Sequence, residues 1–166
     1  AEEFNQDVLL PEAWSGVSLR ILPLNPDIVE IFAPLVEREN LILVKDDHGR
    51  FYTPEWGFCN IGNWIYSEGY LVRTIEEDAL EIPGITVQCD EPIDLSEGWN
   101  IIAYYPEQIL SASVAFEQIF DQAIIAKNVR GNFWAPGFWM DFDMQTGEAY
   151  WIKVTEDTRF AYPIVE

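Results

Sequence analysis

The amino-acid sequence contains two copies of one unit, and this duplication constrains the fold more than any other feature. LILVKDDHGRFYTP at residues 41–54 aligns without gaps with AIIAKNVRGNFWAP at residues 123–136. EGYLVRTIEEDALEIP at residues 68–83 aligns in the same way with EAYWIKVTEDTRFAYP at residues 148–163. Most matched positions are turn and apolar residues, which determine local structure. We therefore expect two homologous modules that follow the same chain path.

A third match sets the boundary between the copies. AWSGVSLRILP near Trp14 corresponds to GWNIIAYYP near Trp99. Between the copies lies CDEPIDLSEG, in which acidic residues, a proline and a glycine separate apolar segments, as is typical of a linker. We assign residues 1–88 to module 1, residues 89–97 to the linker and residues 98–166 to module 2.

Most of each module is expected to be β-structure. The apolar segments LILV and AIIA are followed by the turn sequences DDHG and NVRG and then by RFY and NFW, which predicts one β-hairpin per module. YLVRTI and YWIKV alternate apolar and polar residues, as half-buried strands do. ALEIPGITV continues this pattern as far as Pro83.

Each module also has one short segment with helical periodicity. In module 1, Asn25 is the expected cap and Pro26 suits the first turn, whereas Pro34 should limit or kink the end. In module 2, Ser111 or Ser113 is the expected cap. The apolar residues that share the inward face are Ile28, Ile31, Phe32 and Leu35 in module 1, and Phe116, Ile119 and Phe120 in module 2. The predicted fold class is mainly β to α+β, with two tandem homologous small β-rich modules, each with one short helix.

The composition is that of a folded and strongly acidic protein. Of 166 residues, 49% are hydrophobic and 14% aromatic, whereas disordered chains are poor in both. Acidic side chains number 29 against 9 basic ones, which gives a net charge of −20. Because this charge repels phosphates and anionic lipids, we expect no nucleic-acid partner. No apolar run approaches the roughly 20 residues that cross a bilayer, so we also expect no membrane insertion.

The first residue and the cysteines bear on location. The chain begins at Ala1 without a basic and apolar leader, which suggests a processed start. Cys59 and Cys89 are too few for a disulfide framework or a four-ligand zinc site. In an exported protein they would form one disulfide or remain as two buried thiols, and the sequence leaves both alternatives open.

The sequence offers little for catalysis, and we predict neither an enzyme nor a cofactor. His48 is the single histidine and lies in the DDHG turn, where the second copy has Arg130, so a solvated turn residue is the better interpretation. Paired carboxylates hydrolyse glycosides, but in a chain this acidic some pair always has a suitable spacing. A small hydrolase therefore remains only a third hypothesis.

One segment carries several oxygen ligands of the kind that calcium prefers. Asp141, Asp143, Gln145 and Glu148 lie close together, but the spacing of Gly147 departs from that of an EF-hand loop. A polar hairpin end is the favoured interpretation, and we predict no metal site.

Aromatic residues in loop-like sequence are the candidate contact residues. PEWGF and PGFW place large rings at corresponding positions of the two copies. Tryptophan rings stack on sugars and provide large contact areas on proteins. The alternative is that the rings complete the core of a small sheet. The candidate residues for glycan or protein contact are Trp56, Phe58, Trp64, Phe138 and Trp139.

The repeated motifs resemble a tandem module of extracellular bacterial proteins, often found before the C-terminal sorting domain of type IX secretion. The resemblance rests on the order GW(S/N), a helical IF, K-x-x-G-x-(F/Y)-(W/Y)-x-P, an IGNW-like element and EGY-(L/W)-(V/I)-(R/K), and it spans about Leu10 to Pro163. It implies export, a β-rich duplicated architecture and an accessory part in surface or secreted proteins, with no assigned chemistry. The departure is that this chain stops at Glu166 without a sorting domain, which was either cleaved or never present.

These features together predict an exported, non-enzymatic structural or adhesive protein of the cell surface or an extracellular assembly. Its partner would be another protein, either a second copy or a different surface protein. If the faces that join the modules also joined chains, head-to-tail polymers would form. The alternative function is a carbohydrate-binding module that uses the loop aromatics on a glycan.

Overall fold

Module 1 consists of a large sheet, a small sheet and two short helices. The computed structural model describes residues 2–165, and all elements below refer to this range. The strands of module 1 are β1 (Glu3–Leu10), β2 (Ala13–Val17), β3 (Ile21–Pro23), β4 (Leu41–Lys45), β5 (Phe51–Thr53), β6 (Phe58–Cys59), β7 (Tyr70–Thr74) and β8 (Asp78–Thr86). Its helices are α1 (Ile28–Ile31) and α2 (Ala33–Glu37), with a 3₁₀ turn at Pro54–Trp56.

Module 2 repeats this order in a shorter form. Its strands are β9 (Ile93–Leu95), β10 (Gly98–Ile102), β11 (Leu110–Ser111), β12 (Ala123–Lys127), β13 (Phe133–Trp134), β14 (Asp143–Met144), β15 (Tyr150–Val154) and β16 (Thr158–Phe160). Its helix is α3 (Ala112–Ala115), followed by a 3₁₀ turn at Glu117–Ile119.

The two large sheets have the same strand order and the same irregularity. The order is β2-β7-β4-β5-β6 in module 1 and β10-β15-β12-β13 in module 2, with antiparallel pairing throughout. The register between β4 and β7 shifts between Leu41 and Leu43, and that between β12 and β15 shifts at the equivalent Ala123 and Ile125. A bulge kept in both copies confirms that they share one chain path, and the predicted β-rich fold class is confirmed.

Smaller sheets complete each module. They have the orders β1-β8-β3, β16-β9 and β11-β14. The β9–β16 pair corresponds to β1–β8, because Leu95 lies opposite Thr158 as Leu10 lies opposite Asp78. Since β9 pairs within module 2, residues 93–95 belong to that module, which corrects the predicted linker of residues 89–97. The proline and glycine of this segment do mark turns, but these turns flank the short strand β9.

Strand β8 runs further than the sequence pattern predicts. It continues through Pro83 to Thr86 with β1 on one side and β3 on the other. Proline has no N–H to donate, but its carbonyl is free to accept, and the Pro83 oxygen accepts the Leu24 N–H at 3.0 Å. The strand therefore tolerates Pro83, which was expected to end it.

The helices form where the apolar spacing predicts them, with different caps. Asp27 rather than Asn25 caps α1, since its carboxylate accepts the Val29 N–H at 2.9 Å. Pro34 lies in the first turn of α2 and marks a break in the predicted helix. Ser111 is the α3 cap residue, but its side chain makes no capping bond. All the predicted inward residues are buried except Phe120, which is 49% exposed because the 3₁₀ turn shifts it off the apolar face.

Each module has its own hydrophobic core beneath its large sheet. In module 1, the helix residues Ile28, Phe32 and Leu35 pack with Val44 and Val72 of the sheet. In module 2, the corresponding core is rich in aromatic residues. Its rings are Tyr104, Tyr105, Phe116, Trp134, Phe142, Tyr150, Phe160 and Tyr162.

The two modules join through the same surface of each, in a two-fold arrangement. The Ala149 N–H donates to the Gly16 carbonyl at 3.1 Å, and the equivalent Gly69 N–H donates to the Ile101 carbonyl at 3.1 Å. A second reciprocal pair links Ser18 with Gly147 and Ala103 with Ser67, again at 3.1 Å in each case. Each bond thus has a counterpart in which the modules exchange roles, which defines an isologous interface.

This symmetry bears on how chains can assemble. An isologous interface uses the same patch on both partners and closes upon itself. The patch of module 1 is occupied by that of module 2, so the faces that join the modules are not open to a further chain. Head-to-tail polymers that use these faces therefore cannot form while the two modules of one chain are joined in this way.

Candidate functional site: the outer sheet faces

The large sheet of each module has one face on the core and one face outward. Because side chains alternate along a strand, the neighbours of buried Val72, Val44 and Tyr52 point away from the core. We define the outer face of module 1 as Trp14, Gly16, Leu43, Lys45, Phe51, Thr53, Leu71 and Arg73. The equivalent outer face of module 2 consists of Trp99, Ile101, Ile125, Lys127, Phe133, Trp151 and Lys153.

The outer faces contain no Asp or Glu, although the chain has 29 acidic side chains. Their cations differ from the other basic residues. Five arginines form ion pairs elsewhere, at N–O distances of 2.5–3.2 Å: Arg20–Glu107, Arg38–Asp78, Arg50–Asp46, Arg130–Glu148 and Arg159–Asp94. Within residues 2–165, no carboxylate lies within 4.0 Å of the four outer-face cations, Lys45, Arg73, Lys127 and Lys153.

Three of these four cations instead lie over tryptophan rings. Arg73 is directly opposite Trp14 on the neighbouring strand, with its guanidinium carbon 5.6 Å from the ring centre. In module 2, the ammonium groups of Lys127 and Lys153 lie 5.0 Å and 5.9 Å from the centre of Trp99. The negative ring face attracts each cation while leaving it partly hydrated. The face therefore keeps a positive charge that no carboxylate neutralises.

The loop aromatics extend each outer face. Trp56 and Trp139 are the most exposed rings, at 80% and 82%. Phe58 packs on Phe51 with ring centres 5.2 Å apart. In the same way, Phe138 packs on Phe133 at 5.8 Å, and Trp139 packs on Phe138 at 5.9 Å. Four of the five predicted contact residues thus lie at the margin of an outer face.

The fifth predicted contact residue, Trp64, is a core residue, which corrects its assignment. It is only 5% exposed and packs against Tyr70 and Phe32, with ring centres 4.1 Å and 6.4 Å away. The backbone N–H of Trp64 donates to the Pro26 carbonyl at 2.6 Å, which holds its loop against the start of α1. The ring is therefore not accessible to a partner.

The tryptophans and cations of the strands were not among the residues predicted from the sequence. Lys45 and Lys127 are identical between the copies, and Arg73 is matched by Lys153. These residues alternate with buried ones, so the period-2 pattern combined with the duplication was the signal that identifies them.

The outer faces of the two modules adjoin at the interface. Gly16 is an outer-face residue, and a Cβ atom placed on it would lie 3.3 Å from the Trp151 ring. The absence of a Cβ atom at Gly16 lets the Trp151 ring approach strand β2 closely. The two faces therefore meet at the centre of the molecule.

His48 contacts a glutamate at the interface, and Arg130, its counterpart in module 2, forms an ion pair with the equivalent glutamate. The His48 Nε2 lies 3.0 Å from Glu68, and the equivalent Arg130 nitrogen lies 2.9 Å from Glu148. Burial raises the pKa of Glu68, and the nearby His48 opposes this shift. The repetition of the pair indicates that it joins elements of the interface.

Two clefts flank these ion pairs, and they differ in size. The cleft beside His48 has a volume of about 190 Å³ and that beside Arg130 about 540 Å³. Asp47 lines the smaller one, where its carboxylate accepts the Ile101 N–H at 3.2 Å. Val129 is the equivalent residue of the larger cleft and supplies no such acceptor. Burial raises the pKa of Asp47, and the hydrogen bond from Ile101 opposes the shift.

The segment considered for calcium is used for local structure. The Asp141 carboxylate accepts the Ser113 N–H at 3.2 Å and the Ser113 hydroxyl at 2.5 Å, which caps α3 from outside. Among residues 2–165, no group of three or more His, Cys, Asp or Glu side chains is placed to hold a metal ion. Cys59 and Cys89 are both free thiols, so the disulfide considered from the sequence is not formed.

Comparisons of this chain with protein-family models, curated proteins and solved structures found no match. Over the described residues, the helices are too short and too polar to cross a bilayer. The fold and the outer faces define a β-rich protein of two equivalent modules with repeated aromatic and basic surfaces.

Proposed function

We propose that this chain is an exported, non-enzymatic structural or adhesive protein of the cell surface or an extracellular assembly, and that it acts by contact through its outer faces. The observation that carries the proposal is the recurrence of an exposed aromatic face without carboxylates in both modules. Because the chain has a net charge of −20, an acidic partner meets the least electrostatic repulsion at these two faces.

The export and surface location follow from the resemblance of the repeated motifs to modules of extracellular bacterial proteins. The partner is another protein or a glycan. A second copy of this chain would have to bind through the outer faces, since the inner interface is closed within the chain.

Removal of exposed rings tests the proposal. The variant pair is Trp56→Ala with Trp139→Ala, and the control pair is Leu24→Ala with Ile109→Ala, which removes exposed apolar groups that are not part of the outer faces. Binding to a glycan array and to immobilised surface protein, and the oligomeric state by light scattering, are measured for each. We expect the first pair to lose the interaction of the wild-type protein and the control to keep it. Unchanged binding in a folded Trp56/Trp139 variant would refute the proposal.

A glycan-binding function is the second candidate, and the geometry of the rings favours it. Phe133, Phe138 and Trp139 form a continuous row of rings with centre spacings of 5.8 Å and 5.9 Å. Such a row provides successive stacking positions for the C–H faces of sugars. Glycan-array binding that depends on Trp139 would establish this function.

A further inference from the structure

We propose that the ligand of the outer faces is an anionic polysaccharide, one that carries carboxylate groups along a chain of pyranose rings. This inference rests on the proposed contact function of the outer faces and names the substrate class of that contact. It is argued from the placement of the cations and not from the rings alone.

Over the described part of the chain, the cations of the outer faces differ from the other basic residues in having no carboxylate partner. Arginines elsewhere are neutralised by carboxylates, whereas Lys45, Arg73, Lys127 and Lys153 are not. A soluble surface normally mixes charges of both signs, so in a chain with 29 acidic residues we would expect carboxylates beside these cations. The unneutralised cations are therefore available to an external anion.

Each outer face combines cations with tryptophan rings. Trp14 lies directly across from Arg73, and Trp99 lies directly across from Lys153. Because these cations lie over the faces of Trp14 and Trp99, the rings free to stack on a sugar are the exposed loop rings at the margins of the outer faces, Trp56 and Trp139. A uronate offers both matching groups, a C–H face for a loop ring and a carboxylate for a cation of the strands.

The outer faces fit other anionic polymers less well. Each outer face has only two cations, whereas single-stranded nucleic acid carries a phosphate at every nucleotide and would be repelled by the remaining acidic surface. At physiological ionic strength the screening length is about 8 Å, so a sparsely charged glycan responds mainly to the cations it touches. An acidic protein surface lacks the regular C–H faces on which exposed aromatic rings stack.

The test compares two ligands that differ only in charge. Wild-type protein is titrated by calorimetry with half methyl-esterified polygalacturonate, which we call the acid form, and with the same polymer after full methyl esterification. We expect the acid form to bind at least about tenfold more tightly, as loss of two charge-assisted contacts implies. Equal binding of both forms would overturn this inference but leave the proposed function intact. Binding of neither form would also overturn it, and the tryptophan variants then decide the proposed function separately.

Protein variants assign the effect to the cations. Lys127→Gln with Lys153→Gln should weaken binding of the acid polymer by about tenfold and leave binding of the ester unchanged. Asn63→Asp with Gln108→Glu makes the same change in net charge away from the outer faces and should have little effect. Lys127→Arg with Lys153→Arg should retain binding. An equal loss in the control pair, or tighter binding of single-stranded DNA than of polygalacturonate, would overturn the inference.

Discussion

Gly69 and Ala149 hold equivalent positions in the two modules and lie against each other at the interface, where a Cβ atom added to Gly69 would overlap the Ala149 Cβ. The same added atom would lie 3.0 Å from the Ile101 Cγ2 atom and 3.1 Å from the Ile102 carbonyl oxygen. The backbone carries the reciprocal bonds at this point, so it has little freedom to move aside. One of the two residues therefore has to be glycine, which explains why module 1 has glycine where module 2 has alanine.

Substitution of Gly69 by alanine should destabilise the protein by opening the interface. The overlap forces the strands apart, and overpacking of this kind costs about 1–3 kcal/mol. Urea unfolding followed by tryptophan fluorescence measures the loss. The control is the exchange Gly69→Ala with Ala149→Gly, which moves the methyl group to the other module. We expect the double variant to recover most of the lost stability, and additive losses would contradict the symmetric arrangement.

Trp64→Ala should unfold a large part of module 1, whereas Trp56→Ala should leave stability unchanged. Removal of a buried tryptophan costs about 3–5 kcal/mol, because its contacts with Tyr70 and Phe32 are lost and a cavity remains. Trp56 is 80% exposed and makes few such contacts. Thermal unfolding of both variants measures the difference. Equal effects of the two substitutions would show that Trp64 is not the core residue described here.

Local patterns predicted most of the sheet but not the small strands. The hairpins and β7 have a clear two-residue period and tight turns, so their positions follow from sequence. Strand β9 has three residues between turn signals, and its pairing with β16 depends on a contact 65 residues away in the chain. Such a pairing leaves no local trace, and the segment resembles a linker.

The candidate site was predicted only at its margin. Loop tryptophans attract attention because they are unusual, and four of the five predicted contact residues are indeed exposed. Trp64 also lies in loop-like sequence, but its ring is buried against Phe32 and Tyr70, which no short pattern indicates. The duplication and the two-residue period point to the strand cations, but only the sheet register and the ion pairs show that they share a face and, among residues 2–165, have no carboxylate partner.

Asp78→Asn should reduce stability at neutral pH and have little effect at pH 2. Hydrogen bonds from Arg38 and Asn40 lower the pKa of Asp78 to about 2 from its usual 3.8. A lowered pKa in the folded state stabilises the protein above pH 3.8, and this contribution is lost as the pH falls toward 2. We expect a loss of about 1–2 kcal/mol at pH 7, measured by urea unfolding across this range. Asp94→Asn, which removes the fully exposed pair with Arg159, is the control and should have a much smaller effect.

His48→Arg should stabilise the interface at alkaline pH, because module 2 already shows an arginine at the equivalent position. Burial raises the pKa of Glu68, so the folded state is favoured at low pH and loses this contribution as Glu68 ionises with rising pH. A guanidinium remains charged at pH 8 and can pair with the ionised Glu68 as Arg130 does with Glu148 at 2.9 Å. The pKa of Glu68, followed by NMR, should fall. The free energy of unfolding at pH 8 should rise by about 0.3–1 kcal/mol. The same substitution combined with Glu68→Gln should give no such gain, and a gain that persisted in that background would show that Glu68 is not the partner.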